Sequence, residues 1–525
     1  MNGTPVAIDE ENSPSMENVP QIIDKIRLPV EIKIYPFLMD HQFEGNAVLP
    51  AVEAMQLLAA STHTYLSNID IRSIFDAKFD KSLYIEPNDA LPDSRTIEAF
   101  NEIEVYGNGN ITSKLITKNR SKKASISPIK EHVIMHFTNK KHYLQELPLD
   151  FVSALEGICF EIPSDKLYND LVPFGPAYHN VKDVLFISEK GAIVNTDGAA
   201  NSDASSEPLG SPFPLDAAFH AACAWGQRLL SFVGFPVGFE KRFIFNKTHS
   251  EDNYISRIMP VQINSDQLIF DIWIYDLNGT PYEAILGVRM RDVRAGRMKP
   301  PQWITEKVKD NSLECIKNHC KAFSVIELKT VNKVAEKALS DHELNRFNEM
   351  GDKRARSYLA ARLCCKSISR QLSENDWGTS APSITTISPD RIRPQCPLTD
   401  GRVTFSCSVS HDSRFAIAVA SKNQVGVDVE EISEKALNSQ HLYMSEKERA
   451  LVENSSLGEM RASIRIWTIK EAVSKALDLN LADSWKKVLV TDIGLNRSSI
   501  VIDDKGYTAF HDTVGNHLFT VINVE

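Results

Sequence analysis

The sequence predicts an α+β protein whose first part is duplicated, and three observations carry that prediction. Two strongly apolar helical runs, 51–60 and 217–232, are each accompanied by a series of strand-like runs, the pattern of a helix lying on an antiparallel sheet. That pattern closes at Lys299-Pro300-Pro301, and charged helical sequence follows from Thr305. Near the carboxyl end, a short strand carrying carboxylates at 425–430 is answered by a charged helical segment at 467–475.

A chain of 525 residues is expected to hold about three units. With 42% hydrophobic and 24% charged residues the composition is that of an ordinary globular protein with sizeable cores. The net charge of -11 argues against nucleic acid as a partner. No apolar run approaches the roughly twenty residues of a membrane-spanning helix, so no membrane is expected. Residues 1–25, rich in Asn, Glu, Ser and Pro, read as a flexible leader rather than a signal peptide. The eight cysteines lack framework spacing and read as reduced thiols, which implies a cytoplasmic protein.

In chain order, 31–38 reads as a strand. A loop with Asp40-His41-Gln42-Phe43-Glu44-Gly45 leads to Pro50, which marks the first position of the helix over 51–60. Strands are expected at 71–79, 97–105, 111–117 and 132–137, with Gly107-Asn108-Gly109-Asn110 as a turn. Phe174-Gly175-Pro176-Ala177-Tyr178-His179 leads into a strand at 181–187. Leu215-Asp216-Ala217 fits the cap of the helix over 217–232. Asn278-Gly279 between 268–275 and 282–290 reads as a hairpin.

His41-x-x-x-Gly45-x-x-x-x-Pro50 fits the dehydratase signature H-x-x-x-G-x-x-x-x-P, and Asp216-x-x-x-His220 its partner D-x-x-x-[QH]. Phe174-Gly175-Pro176-Ala177-Tyr178 is similar to Y-G-P-x-F with the aromatics exchanged, and Pro236-Val237 to L-P-[VI]. Residues 26–298 thus resemble a double-hotdog dehydratase. The resemblance implies that His41 takes the C2 proton of a 3-hydroxyacyl thioester and that Asp216 protonates the departing hydroxyl. The second role needs a carboxyl raised by an apolar tunnel. His220, one turn beyond Asp216, is expected to orient.

In the last part, Asp428 and Glu430 share a strand face. Glu471 and Lys475 share a helix face, away from the apolar stripe of Ile466, Ile469, Val473, Ala476 and Leu477. Three carboxylates and two lysines meeting where a strand end faces a helix make a magnesium site with cationic partners for phosphates. Val425-Gly426-Val427-Asp428 and Trp467-Thr468-Ile469-Lys470-Glu471-Ala472-Val473-Ser474-Lys475 match the V-G-[VI]-D and W-[ST]-x-K-E-[AS]-x-x-K signature. The region 323–525, after a linker over 299–322, therefore resembles the surfactin-type 4′-phosphopantetheinyl transferases, of pseudo-twofold α/β fold. This implies Asp428, Glu430 and Glu471 as Mg2+ ligands, with Glu471 also able to take the substrate serine proton. Lys470 and Lys475 would contact phosphates. Ser408-Val409-Ser410-His411 resembles S-[IL]-S-H and makes His411 a coenzyme A contact. Arg362 and Lys366, on a helical run similar to R-x-x-[FW]-L-x-G-R-x-x-x-K, would pair with the 3′-phosphate or form a solvated basic face. Ile392-Arg393-Pro394 stands where the family has G-K-P, and Trp467 reads as core.

The order of the two parts resembles the C-terminal pair of iterative type I polyketide and polyunsaturated fatty acid synthases of the enediyne kind. It implies coenzyme A and an acyl carrier protein as partners, with a larger synthase and a homodimer left open. Two alternatives stay beside it: a non-catalytic hotdog docking or dimerisation module, and a product-template cyclase.

Overall fold

The computed structural model describes residues 21–79, 81–85, 96–118, 129–140, 142–199, 207–294, 296–306, 312–388, 390 and 393–524. Twelve strands form one antiparallel sheet: β1 (Ile22–Lys33), β2 (Ser73–Phe79), β3 (Thr96–Tyr106), β4 (Asn110–Lys118), β5 (Ile129–Thr138), β6 (Phe160–Pro163), β7 (Val181–Ser188), β8 (Gly191–Asp197), β9 (Phe235–Ile244), β10 (Asn253–Ile263), β11 (Gln267–Asp276) and β12 (Pro281–Arg291). Their order is β1-β3-β4-β5-β2-β9-β12-β11-β10-β8-β7-β6. The two halves therefore join edge to edge at β2 and β9, with Lys78 opposite Gly238 and Ile74 opposite Arg242.

Each half holds one long helix against the sheet. In α1 (Ala51–Tyr65) Val52, Met55, Leu58, Ala59 and Thr62 are buried, the three-and-four spacing of a helix face. Pro50 stands just outside as the cap, one position earlier than predicted. The second helix, α2 (Phe213–Leu230), begins four residues before the predicted start, because Pro214 suits a first turn. It is buried on all sides from Phe213 to Gln227, so no polar face marks its bounds. Asp216 consequently lies inside the first turn, with Pro212 at the cap, and the predicted capping role is corrected.

The strand expected over 31–38 is also shifted. It runs Ile22–Lys33, taking in the end of the predicted leader, and Pro36 opens a 3-10 turn. Pro29 is tolerated because β1 is an edge strand. Residues 1–20 of the leader lie outside the described residues.

The last part has two similar halves. Strands β13 (Ala322–Glu327), β14 (Ser406–His411) and β15 (Phe415–Ser421) form one sheet in the order β13-β15-β14, facing α3 (Asp352–Leu372). Strands β16 (Gln424–Glu431), β17 (Val488–Ile493), β18 (Arg497–Ile502), β19 (Lys505–Val514) and β20 (His517–Val524) form the other, ordered β16-β20-β19-β18-β17, with α4 (Glu459–Leu477) across it. The stretch 299–322 is anchored at both ends. Arg228 donates to the carbonyls of Ile304 and Glu306, and Leu313 and Ile316 are buried with Val427 and Phe519. Cys396 and Cys407, expected as thiols, face each other with their sulfur atoms in contact. The loop before β14 folds back and brings their Cα atoms to 6.0 Å, which spacing in sequence does not reveal. Among the described residues no helix is long and apolar enough to cross a membrane.

Candidate active sites

The first site is a cavity of about 490 Å³ between the two hotdog halves, with His41, Asp216 and His220 in its wall. His41 comes from a tight hairpin, Gln42–Phe43 against Asn46–Val48, whose turn needs the positive φ of Glu44 and Gly45. Its Nδ1 lies 3.1 Å from the carbonyl of Val48. The ring is wedged between Phe174 (4.3 Å between centroids) and Tyr178 (5.1 Å), so the exchanged aromatics keep a packing role. Burial holds the imidazole below the usual histidine value, with the Asp216 charge pulling the other way. The other walls are largely apolar, including Phe79, Leu115, Phe219 and Val233.

Asp216 departs from the expected raised carboxyl. Burial pushes it up, but His220 and then His41 outweigh burial, and the net direction is down. Its Oδ2 lies 3.0 Å from His220 Nε2. The two atoms are not aligned for a hydrogen bond, and each is buried without another partner among the described residues. His220 is steered from behind by the Tyr168 hydroxyl, 3.4 Å from Nδ1, which also accepts from the amide of Val181.

The second site lies where the two halves of the last part meet. Gly426 makes it: a Cβ there would stand 1.8 Å from the carbonyl oxygen of Ala472, so only glycine lets α4 lie directly on β16. That approach brings carboxylate oxygens of Asp428, Glu430 and Glu471 within 4.8 Å of one another. Lys475 donates to Asp428 Oδ1 (2.7 Å), to Ser410 Oγ (2.9 Å) and to the Val427 carbonyl (3.1 Å). Asp428 Oδ2 is buried with no hydrogen-bond partner among the described residues. Burial, then the Asp428 charge, pushes Glu430 and Glu471 up to about 7. Such crowding of hard oxygen donors, one of them orphaned, fits a magnesium ion. Burial and Lys475 lower His411, placing it in the field of the same group. Gly426→Ala is expected to cost about 3 kcal/mol by overpacking, read from thermal unfolding of the full chain.

Two predicted phosphate contacts are corrected. Lys470 is fully buried on the far side of α4, donating to the Tyr443 carbonyl (2.6 Å), Glu448 (2.9 Å) and the Trp485 carbonyl (3.3 Å). Lys366 is likewise buried, paired with Glu343 at 2.9 Å and donating to the carbonyls of Ala381 and Ile384. Both lysines hold the fold, because each has a buried carboxylate that satisfies it locally. Arg362 donates to Thr386 but keeps a buried Nε without a partner among the described residues, and it bears on His411 electrostatically. Trp467 packs against Tyr443 at 5.0 Å and Trp485 at 6.0 Å.

The sequence reading missed a stitch between the halves. Ser406 and Ser408 accept from the amides of Val425 and Val427 (3.3 and 3.0 Å), and Ser410 donates to Asp428 (2.8 Å). Serines at every second position of a strand were the available signal.

Two families match the chain. Residues 158–300 match the polyketide synthase dehydratase N-terminal domain, and residues 424–521 the 4′-phosphopantetheinyl transferase superfamily. No curated protein matches it. Among solved structures it is similar to the dehydratase domain of a mycocerosic acid synthase-like polyketide synthase, at 16% identity over 53% of this chain and 95% of that one, with a TM-score of 0.43. It is also similar to a trans-AT polyketide synthase dehydratase domain from Brevibacillus brevis (14% identity, 51% and 94% covered, TM-score 0.41). A third is the dehydratase domain of RzxB from Pseudomonas fluorescens (12% identity, 47% and 87%, TM-score 0.39).

Proposed function

For a chain that carries a polyketide synthase dehydratase domain followed by a phosphopantetheinyl transferase domain, we propose two reactions on one kind of partner. The transferase moves 4′-phosphopantetheine from coenzyme A to a serine of an acyl carrier protein. The dehydratase removes water from the 3-hydroxyacyl chain that such a carrier later bears, in polyketide or polyunsaturated fatty acid synthesis.

The observation that carries the first reaction is the group of Asp428, Glu430 and Glu471 with an orphaned Asp428 oxygen opposite Lys475. In the reaction the serine Oγ forms a bond to the β-phosphorus of coenzyme A, and the bond from that phosphorus to adenosine 3′,5′-bisphosphate breaks. Magnesium held by the three carboxylates would neutralise charge on the pyrophosphate. Glu471 accepts the serine proton, directly or through a water. Lys475 balances phosphate charge from the side of Asp428. His411 and Arg362 meet the phosphate end of the nucleotide. Modified carrier and adenosine 3′,5′-bisphosphate are expected in equal amounts and only with magnesium; transfer undiminished in a chelator would overturn the assignment.

In the second reaction neutral His41 takes the C2 proton. Asp216, whose Oδ2 lies 3.0 Å from His220 Nε2, is the group placed to give the departing hydroxyl its proton. A histidine held below its usual value stays unprotonated at lower pH. The acid limb of kcat/KM for dehydration is therefore expected below pH 6.5. A limb at or above that value would contradict His41 as the base.

A further inference from the structure

The segment between the two hotdog halves leaves the dehydratase sheet and enters the transferase. Asp150 forms a two-pronged ion pair with Arg370 of α3, at 2.7 and 2.8 Å and almost wholly buried. Glu156 accepts from Ser367 at 2.7 Å and lies 3.4 Å from Gln371. Ser367, Arg370 and Gln371 are spaced three and four apart, so these contacts grip a single face of α3. Glu156 bridges to Ile326, and the Gly157 amide donates to the Val325 carbonyl at 2.8 Å, which adds a rung to the outer edge of β13. Ala154 is buried in the transferase core with Leu359 and Leu363.

A second line runs to the His411 turn. The amide of Cys159 donates to Glu327 Oε1 at 2.7 Å, and Glu327 Oε2 accepts from Arg414 at 3.1 Å. Glu327 is fully buried. Arg414 closes the turn that begins at His411, whose Asp412 accepts from the amides of Arg414 and Phe415 and lies 2.5 Å from His517 Nδ1.

We propose that Asp150, Glu156 and the Cys159 amide, all from the dehydratase half, are positioning groups of the transferase. Asp150 and Glu156 fix the rotation and axial position of α3 and so of Arg362, about two turns before Arg370. The Cys159 amide, through Glu327 and Arg414, fixes the turn that presents His411. The inference rests on the reading that Arg362 and His411 meet coenzyme A. An interface that merely joined two domains would leave coenzyme A affinity untouched when these charges are removed.

The test uses the full chain with Glu156→Gln, and with Asp150→Asn and Glu156→Gln together, changes that keep side-chain shape. Coenzyme A affinity is read by calorimetry with magnesium, beside KM and kcat for carrier labelling and the rate of dehydration. In the double variant the coenzyme A dissociation constant and KM are expected to rise about tenfold, with kcat and dehydration within about twofold of the parent. The single variant is expected to move the same way by less, and it keeps the Asp150 pair should the double variant fold poorly. Unchanged affinity would overturn the proposal, and so would parallel loss of both activities, which marks a folding element. A parent protein that binds no coenzyme A would overturn the transferase reading and this inference with it.

Discussion

Replacing Glu471 with alanine is expected to lower magnesium-dependent labelling of an apo carrier protein by about a thousandfold. Glu471 is the only one of the three grouped carboxylates that comes from α4; Asp428 and Glu430 come from β16. Removing it leaves two carboxylates, one of which already shares an oxygen with Lys475. The substitution leaves the helix seat intact, because α4 is held by Ile466, Ile469 and Val473 in the core and by Lys470 on Glu448. Loss of labelling with unchanged thermal unfolding therefore reports the site and not the fold. Raising magnesium should restore part of the rate, since a two-carboxylate site still binds the ion weakly. Labelling at the parental rate would remove Glu471 from the mechanism.

The second large effect is expected at His41. His41→Phe fits the gap between Phe174 and Tyr178 and loses one contact, to the Val48 carbonyl. Dehydration of a 3-hydroxyacyl carrier protein should fall by about a hundredfold to ten-thousandfold, the usual weight of a positioned general base, while carrier labelling stays unchanged. If parent and variant are equally active, His41 is not the base. If both are inert, one of the two alternatives holds, a docking or dimerisation module or a product-template cyclase.

Some of this was legible in the sequence for physical reasons, and some was not. Gly426 and the carboxylates after it are legible because one local requirement, a strand pressed against a helix, leaves no room for a Cβ. The helix α1 is legible because one face is buried, whereas α2 lost its start because all its faces are. Lys470 and Lys366 misled because spacing along a helix gives the face of a charge and not its partner. Their partners, Glu448 and Glu343, arrive from helices elsewhere in the chain. Asp216 misled in the same way. Its burial was foreseeable, and so was His220 one turn on, but a 3.0 Å approach decides which effect wins. The junction through Asp150 and Glu156 left no sequence signal, since it is written in ordinary charged residues far apart in the chain.

On the proposed function a single chain both primes a carrier protein and dehydrates what the carrier holds. Its most direct measurement supplies apo carrier protein, magnesium and a 3-hydroxyacyl-coenzyme A together, and follows the intact mass of the carrier. Gain of the acyl-phosphopantetheine group followed by loss of the mass of one water is expected, with His41→Phe stopping at the first step. A carrier that is loaded by the parent protein and keeps its water would contradict the dehydratase, and one left unloaded even by coenzyme A itself would contradict the transferase.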